Sequence, residues 1–295
     1  MVTAIPEDRK PEDSSYAATT VWCASYPKSG NTWLRALISG AVGDGTVRLK
    51  NLSGQAAGND QAEIFREFGL TPSVLNDEMS YALMDEVAAS VAQRSATAVF
   101  RKTHNRFRGD PPRGANHSLR VPVQGVYVVR DPRAVAVSLA HHLGCSHTQA
   151  VEVMTSGPQV PHQDDRYAMR SCRVAFDWGS WSENVTSWLE QTEVPVTVIT
   201  YEEMSANTHK VMAQVLTKLR LTVPAQRLDQ AIAESSFDQL AVQEMIEGFS
   251  EASAADRQFF RSGRTDAWRQ ELAPDLVEQI QAVHGDAMQR LGYLP

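Results

Sequence analysis

The sequence predicts an α/β protein in which helices cover both faces of a central parallel sheet. Four short apolar, β-branched runs alternate along the chain with stretches whose apolar residues recur at helical spacing. Such alternation is typical of parallel strands joined by helical crossovers. The 295 residues contain no internal repeat, no low-complexity segment and no obvious linker. We therefore expect one domain over residues 19–295.

Composition limits the function classes that the chain can serve. It is 42% hydrophobic and 21% charged, as in an ordinary globular protein, and its net charge of -7 argues against general binding to nucleic acid or to an anionic membrane. Three scattered cysteines, with no Cys-x-x-Cys pair, fit a reducing compartment and indicate no zinc site. With no apolar run of 18 residues and a charged N-terminus, we expect a disordered leader over 1–18 and a cytoplasmic protein.

The first part of the chain predicts two strands and three helices. A β-branched run from Thr19 to Ser25 suits a buried strand, and apolar residues follow at helical spacing from Asn31 to Ile38. Residues 41–72 are rich in Gly, Asn, Ser and Gln, which predicts a variable loop with one short helix near its end, at 61–68. Tyr81 to Arg94 predicts a helix, and Thr97 to His104 predicts the second strand.

The middle of the chain begins with a third strand, Gly125 to Arg130, and a strong helix start. Asp131 suits the N-cap position and Pro132 the first helical position. Residues 144–172 are polar and contain proline, which predicts a second loop or lid. Val174 to Leu189 carries four aromatic residues and predicts a packed helix, with its tryptophans on the core face.

The last part predicts one more strand and several helices. The run from Val194 to Met204 gives the fourth strand, followed by a helix to about Leu219. From Leu228 to the end the pattern is helical, interrupted by a Gly- and Arg-containing loop from Phe259 to Trp268.

Three predicted strands end on basic residues. Lys28 follows the first strand, Lys102 and His104 end the second, and Arg130 ends the third. Ligands of parallel α/β sheets bind at the carboxyl ends of the strands. Three basic strand ends in an acidic protein therefore predict a site for a polyanion.

The loop after the first strand, SYPKSGNTW, has the features of an anion-binding turn. Backbone N–H groups from Ser29 to Trp33 would lie at a helix N-terminus, where they attract negative charge. Gly30 permits close approach, Asn31 and Thr32 can add side-chain hydrogen bonds, and Lys28 brings an ammonium. The simpler alternative is an ordinary strand–helix turn with a solvated lysine. The triphosphate loop G-x-x-x-x-G-K-[ST] is absent.

Three motifs resemble those of the cytosolic-type sulfotransferases. YPKSGNTWLRALI (26–38) is similar to that family's 5′-phosphosulfate loop, whose usual form is YPKSGTTW. VYVVRDPRAVAVS (126–138) resembles its 3′-phosphate motif, and FRSGRTDAW (260–268) resembles a third motif, usually FRKGxxGDW. The motifs occur in the family's order, and the resemblance covers about 19–272.

The resemblance implies a fold, a donor and a set of residue roles. The fold would be a three-layer sandwich with a central parallel sheet, like that of P-loop NTPases, and the donor would be 3′-phosphoadenosine 5′-phosphosulfate (PAPS), with adenosine 3′,5′-bisphosphate (PAP) leaving. Residues implied in donor binding are Lys28, Ser29, Gly30, Asn31, Thr32, Trp33, Arg130, Ser138, Tyr201, Phe237, Arg261, Ser262 and Gly263. Ser262 stands where the family usually has lysine, a cation that Arg264 could replace.

The same resemblance assigns the catalytic group. His104 matches the family's base, and a histidine with an ordinary pKa near 6.5 can accept a proton from a hydroxyl at neutral pH. Lys28 would hold the oxygen that bridges phosphate and sulfate, and Lys102 would offset charge on the sulfuryl group. Taken alone, His104 would more often be a surface or capping residue. No metal is implied.

Two other function classes remain open at this point. One is a P-loop-like kinase or NTPase, which a metal requirement would favour; the other is a nucleotide-binding protein without catalysis. For a sulfotransferase, a small-molecule hydroxyl acceptor is expected, with its pocket formed by loops near 41–72 and 141–172. Their polar composition favours a glycosylated or polyhydroxylated natural product. A homodimer is possible by the same resemblance.

Overall fold

The computed structural model of the protein describes residues 19–52, 67–70, 77–95, 97–107, 123–157, 178–252 and 258–295. The predicted leader lies outside these residues, as does most of the short helix predicted near 61–68. Within the described ranges, no helix combines the length and the apolarity that a bilayer crossing needs.

Four parallel strands form the sheet at the centre of the described structure. They are β1 (Thr20–Ser25), β2 (Val99–Thr103), β3 (Val123–Val129) and β4 (Val196–Thr200), in the spatial order β2-β1-β3-β4. All three pairings are parallel, so the predicted sheet is confirmed. Since β1 and β3 are the inner strands, they are apolar on both faces, as parallel strands between two helical layers must be.

Strand register brings the carboxyl ends to one edge of the sheet. Ala24 of β1 pairs with Thr103 of β2, Ser25 pairs with Val128 of β3, and the next β3 residue pairs with Thr200. The segments that follow all four strands therefore leave the sheet side by side.

Twelve helices lie within the described residues and connect or flank the strands. They are α1 (Asn31–Val42), α2 (Leu49–Leu52), α3 (Asp77–Arg94), α4 (Pro132–Leu143), α5 (His147–Ser156), α6 (Trp181–Glu190), α7 (Tyr201–Ala206), α8 (Thr208–Lys218), α9 (Ala225–Glu234), α10 (Phe237–Glu247), α11 (Trp268–Glu271) and α12 (Pro274–Arg290).

The core is divided by the sheet into two layers. On one face, Trp22 and Tyr127 pack with buried residues of α4, α5, α6 and α12. On the other face, Cys23 and Val126 pack with α1, α7, α8 and α9. Alternate strand residues thus supply two separate apolar cores, which confirms the three-layer α/β arrangement.

The helix start predicted after the third strand is confirmed. Asp131 caps α4 by accepting a hydrogen bond from the backbone N–H of Arg133, and Pro132 occupies the first helical turn. Gly144 ends the helix with a left-handed φ of 65°. The cap matters for the site because it fixes where β3 stops and α4 begins.

The predicted loop over 144–172 is wrong for its first part. Ser146 and Gln149 form a capping box that starts α5, and the helix buries Ala150, Val151 and Met154. The sequence predicted a loop because the segment is mostly polar and its apolar face is short. The Ser-x-x-Gln pattern that starts many helices was nevertheless present. Residues 158–172 of the predicted loop lie outside the described residues.

The aromatic helix described by the structure starts at Trp181, where Ser180 and Glu183 form a capping box. Residues 178–180 of the predicted helix are not helical, and residues 174–177 lie outside the described residues. Trp181 and Trp188 are buried in the core, and Trp178 packs against it from the preceding segment, so two of the three predicted core tryptophans lie on the helix itself.

A buried histidine joins α6 to α12 away from the strand ends. His284 is 1% exposed, its Nδ1 lies 2.6 Å from the hydroxyl oxygen of Ser182, and its ring meets Trp181 edge-on. Its Nε2 has no hydrogen-bond partner among the described residues. Burial lowers the pKa of His284 to about 4.

We predict that His284 makes folding stability fall in mild acid. Its folded pKa lies below the ordinary value, so between about pH 6.5 and pH 4 the unfolded chain binds a proton that the folded chain does not. At pH 5 this costs about 2 kcal/mol relative to pH 7.5. Urea unfolding at both pH values should show a smaller pH dependence in His284→Asn than in the wild type.

His209→Asn is the matched control, because the His209 side chain is 58% exposed. It should leave the pH dependence of the free energy of unfolding unchanged. Equal pH dependence in wild type and His284→Asn would contradict the burial argument.

Candidate active site

Groups from all four strand ends meet at one edge of the sheet. His104 follows β2 and contacts Ser25 at the end of β1, with Nδ1 2.8 Å from the Ser25 carbonyl oxygen. Arg130 follows β3 and donates to the Lys28 carbonyl oxygen at 3.2 Å. Its guanidinium also lies 4.3 Å from the ring centre of Tyr201, which follows β4. The structure thus brings together the basic residues that the strand ends predict.

The turn between β1 and α1 has an unusual backbone that suits an anion. Lys28 and Gly30 both adopt left-handed φ angles, 66° and 105°. The first intrahelical bond of α1 runs from the Leu34 N–H to the Gly30 carbonyl, at 3.0 Å. The N–H groups before Leu34 therefore have no acceptor within the helix and lie at the positive end of its dipole.

Two buried polar atoms beside this turn fit a bound oxyanion. The Ser29 side chain is fully buried, yet its hydroxyl has no hydrogen-bond partner among the described residues. The same is true of Arg130 Nε. Buried polar groups normally have partners, so orphaned donors next to a helix N-terminus indicate a place for a phosphate or sulfate oxygen.

Gly30 is required by the packing of Tyr201. A Cβ at this position would lie 2.6 Å from Cδ2 of the Tyr201 ring, and the left-handed φ already disfavours any other residue. The Tyr201 hydroxyl donates to the Gly263 carbonyl oxygen at 2.8 Å, which ties the third motif to the turn. A Cβ at Gly263 would in turn lie 2.7 Å from Phe237.

Trp33 lies at the start of α1 with its ring fixed in two ways. Its indole N–H donates to the Ser235 carbonyl oxygen at 2.9 Å, and the ring meets Tyr201 edge-on at 5.6 Å between centroids. The side chain is half-buried. This fixed orientation would allow one face of the ring to stack on a base.

The side chains of Asn31 and Thr32 make hydrogen bonds on the inner side of the turn. Asn31 Nδ2 donates to the Cys23 carbonyl oxygen at 2.8 Å, and its Oδ1 accepts from Arg35 Nε at 2.9 Å. Thr32 Oγ1 accepts from Arg35 at 3.4 Å. Their backbone N–H groups remain candidates for anion binding, while their side chains hold Arg35.

The Lys28 ammonium lies against the aromatic ring of Phe259, the residue directly before the third motif. Its Nζ is 3.9 Å from the ring centre of Phe259, a cation–π contact. The backbone N–H groups of Phe259 and Phe260 donate to the Glu244 carboxylate, which fixes this segment to α10. Phe259 therefore covers the lysine of the anion-binding turn.

The cations expected around the 3′-phosphate contact protein groups in the structure. Arg130 donates to the carbonyl oxygens of Lys28 and Arg264, at 3.2 Å and 2.8 Å, and so holds two motifs together. Arg261 pairs with Glu271 at 3.0 Å and Arg264 pairs with Asp266 at 3.0 Å.

The remaining residues of the 3′-phosphate motifs differ in exposure. Ser138 is half-buried in α4, two turns after Arg130, and Ser262 is exposed. The exposed Ser262 adds no positive charge where the related motif usually has lysine.

His104 is held in the tautomer that a general base needs. The Ser25 carbonyl oxygen can only accept a hydrogen bond, so Nδ1 carries the proton and Nε2 carries the lone pair. Burial lowers the pKa of His104 well below its ordinary value, and the positive charge of Lys102 acts in the same direction. The imidazole is therefore neutral and able to accept a proton at neutral pH.

Helix α6 fixes the backbone around His104 through three hydrogen bonds. Asn184 Nδ2 donates to the His104 carbonyl oxygen at 2.9 Å, and the Trp188 indole donates to the Asn105 carbonyl oxygen at 2.9 Å. Ser187 accepts from the Phe107 N–H at 2.9 Å. The sequence pattern placed these side chains on a core helix, without indicating that they hold the segment of the candidate base.

Lys102 forms part of a buried ionic cluster that the sequence did not indicate. Its Nζ lies 2.8 Å from Oε2 of Glu251, and both carboxylate oxygens of Glu251 lie 2.7 Å from Arg35 Nη2. The Arg35 side chain is 0% exposed. Burial alone would raise the pKa of Glu251, but the two cations lower it to about 2, so the carboxylate is ionised.

A family described as "Sulfotransferase domain" matches residues 18–292, which is nearly the whole chain. The chain belongs to the sulfotransferase domain family. This confirms the class predicted from the three motifs, a PAPS-dependent sulfotransferase.

Curated relatives extend over most of the chain at low identity. Sulfotransferase 1B1 of Mus musculus is 23% identical over 90% of this chain and 81% of its own length. Luciferin sulfotransferase of Photinus pyralis is 26% identical, over 86% and 67%. Cytosolic sulfotransferase 13 of Arabidopsis thaliana is 24% identical, over 87% and 73%.

Two solved structures with bound PAP share the fold. Mouse sulfotransferase SULT7A1 in complex with PAP has a TM-score of 0.56 at 17% identity, covering 94% of this chain and 86% of its own. Retinol dehydratase in complex with retinol and PAP has a TM-score of 0.58 at 17% identity, covering 94% and 82%.

Among the described residues of this chain, no group of three or more His, Cys, Asp or Glu side chains is placed to hold a metal.

We predict that Gly30→Ala disrupts the anion-binding turn. The added Cβ must displace the Tyr201 ring, so we expect a loss of about 2–4 kcal/mol in the free energy of unfolding and at least about tenfold weaker PAP binding. Urea unfolding and calorimetric titration with PAP measure the two effects.

Gly248→Ala is the control that separates the cost of a left-handed φ from the clash with the Tyr201 ring. Gly248 has a φ of 72°, but a Cβ there would meet nothing within 4 Å. It should cost about 1 kcal/mol and leave PAP binding unchanged. Equal effects of the two substitutions on PAP affinity would contradict the role given to Tyr201 packing.

Proposed function

We propose that the protein is an O-sulfotransferase that moves the sulfuryl group of PAPS to a hydroxyl of a small-molecule acceptor, with His104 as the base. The observation that carries the proposal is the Nδ1 contact of His104 with the Ser25 carbonyl at the end of β1, which leaves Nε2 as acceptor beside the anion-binding turn. Family membership supports the reaction type.

The proposed roles of the turn follow from its charges and donors. The N–H groups at the start of α1 and the Ser29 hydroxyl would bind the 5′-phosphate, and Lys28 would stabilise negative charge on the oxygen between phosphate and sulfate. PAPS supplies the activated sulfur–oxygen bond. Arg130, Ser138 and the segment at 261–263 would bind the 3′-phosphate, and Trp33 with Phe237 would contact adenine.

Proton and charge balance follow directly. The acceptor oxygen bonds to sulfur as the sulfur–oxygen bond to the 5′-phosphate breaks, and the hydroxyl proton passes to His104 Nε2. The electron pair of the broken bond goes to the phosphate, where Lys28 offsets the charge and PAP is released. Lys102 would offset charge on the sulfuryl oxygens during transfer.

The names of relatives support the choice of donor and acceptor class. Relatives include a luciferin sulfotransferase and a 3-beta-hydroxysteroid sulfotransferase, both named for low-molecular-weight acceptors, and two of the similar structures contain PAP. Several relatives are named as cytosolic, which supports a cytoplasmic reaction. A homodimer stays a prediction.

The acceptor pocket is proposed to lie near 41–72 and 141–172. His141 and His142 end α4 beside the third motif: Nε2 of His141 is 3.2 Å from the Gln258 carbonyl oxygen, and the His142 ring meets Phe259 edge-on. Phe259 also covers Lys28, so these polar rings lie near the proposed transfer site and would line the acceptor pocket. They favour a hydroxylated or glycosylated acceptor over a small apolar phenol.

The experiment is a transfer assay with ³⁵S-labelled PAPS against phenols, sugars and metabolite extracts. His104→Asn should lower kcat by about 100-fold or more, while the dissociation constant for PAP changes less than about twofold. Because the pKa of His104 is lowered, the wild-type rate should be flat from pH 6.5 to 8 and fall only in stronger acid.

His209→Asn is again the control and should retain full activity, since this side chain lies on the surface. An unchanged kcat in His104→Asn would show that His104 is not the general base. Transfer to none of the acceptors, with no PAP binding, would overturn the proposed function. PAP binding without any transfer would favour a non-catalytic protein, and a metal requirement would favour a kinase or NTPase.

A further inference from the structure

We infer that Glu251 is a positioning residue for sulfuryl transfer, which fixes the Lys102 ammonium beside His104 and ties the segment after α10 to the anion-binding turn through Arg35. This inference rests on the proposed function. It concerns a residue outside the three motifs, separated from Arg35 by 216 positions and from Lys102 by 149.

The Glu251 carboxylate is anchored by Arg35 independently of Lys102. A guanidinium is always charged, and within the described ranges the fully buried Arg35 would have no paired carboxylate if Glu251 moved away. Removing one partner of a buried ion pair leaves the other charge uncompensated at high cost. Both carboxylate oxygens lie 2.7 Å from Arg35 Nη2, so this pairing sets where Glu251 stands.

Lys102 takes its position from the anchored carboxylate. A lysine is a point charge on a flexible chain, so its location needs a partner. Its Nζ lies 2.8 Å from Oε2, the oxygen that also contacts Arg35, and the Lys102 side chain is 20% exposed. An ammonium has three N–H donors, so a bond to Glu251 is compatible with contacts to a sulfuryl oxygen.

The position of Lys102 matters because of its place beside the base. Lys102 lies one residue before the end of β2, and His104 directly follows the strand. Lys102 lowers the pKa of His104, whereas Glu251 raises it. The carboxylate therefore sets both the location of the ammonium and the net charge that the base experiences.

The segments on either side of 253–257 contact both lysines of the site. Glu251 pairs with Lys102, and Phe259 lies over Lys28. Arg35 extends the first contact to the turn by holding the side chains of Asn31 and Thr32. A single buried cluster thus connects the segment after α10, the turn and the end of β2.

The test compares Glu251→Gln with its matched control Glu247→Gln, an exposed residue at the end of α10. Rates are measured with ³⁵S-labelled PAPS and the acceptor that the panel identifies, and binding is measured with PAP alone. Glu251→Gln should lower kcat about 10–100-fold and change the PAP dissociation constant less than about threefold, because PAP lacks the sulfuryl group that Lys102 would contact. Glu247→Gln should match the wild type.

A double-mutant cycle with Lys102→Gln distinguishes positioning of Lys102 by Glu251 from a non-specific disturbance of the structure. If Glu251 acts through Lys102, adding Glu251→Gln to Lys102→Gln should change kcat less than about twofold. Glu251→Asp, which keeps the charge, should recover part of the rate. Additive losses in the cycle, or equal rates for Glu251→Gln and Glu247→Gln, would overturn the inference.

Folding of each variant is checked by circular dichroism and thermal denaturation. If Glu251→Gln does not fold, the same cycle is run with Glu251→Asp, which should lower kcat at least about fivefold in the wild type and hardly at all in Lys102→Gln. An unchanged rate in Glu251→Asp would then overturn the inference. Failure of the wild type to bind PAP or to transfer sulfate would instead count against the proposed function.

Discussion

The guanidinium of Arg35 is the constraint on which the rest of the site depends. It is fully buried and permanently charged, so every donor needs an acceptor within the protein. Those acceptors are the Asn31 and Thr32 side chains, the carbonyl oxygen of Leu52 and the Glu251 carboxylate. Satisfying one charge therefore fixes the interior of the anion-binding turn, the end of α2 and the segment after α10.

The anion-binding turn therefore has an inner side that contacts Arg35 and an outer side that is available to an anion. Toward the core, its side chains hold Arg35; toward the strand ends, it leaves backbone N–H groups and the Ser29 hydroxyl for an anion. Arg130 then joins this turn to the third motif by donating to the Lys28 and Arg264 carbonyl oxygens. Motifs far apart in sequence become one surface, on which His104 is the proposed proton acceptor.

Local patterns in the sequence predicted the fold and the basic residues at the strand ends. The four strands, the start of α4 at Asp131 and the cluster of basic strand ends follow from periodicity, capping and the geometry of parallel sheets. The helix at 147–156 was missed because polar composition hid a short apolar face. Glu251 and Asn184 were missed for a different reason: their partners are distant in sequence, and no local pattern encodes a buried ion pair or a hydrogen bond to a carbonyl.

Calorimetric titration with PAP, 5′-AMP and Mg²⁺-ATP tests most directly whether the strand ends hold a nucleotide phosphorylated at both ends. We expect PAP to bind at a single site without metal, at least about 100-fold more tightly than 5′-AMP, because the second phosphate adds charge-assisted hydrogen bonds from the groups around Arg130. Equal affinity for PAP and 5′-AMP, or tighter binding of Mg²⁺-ATP than of PAP, would contradict a site for a nucleotide phosphorylated at both ends.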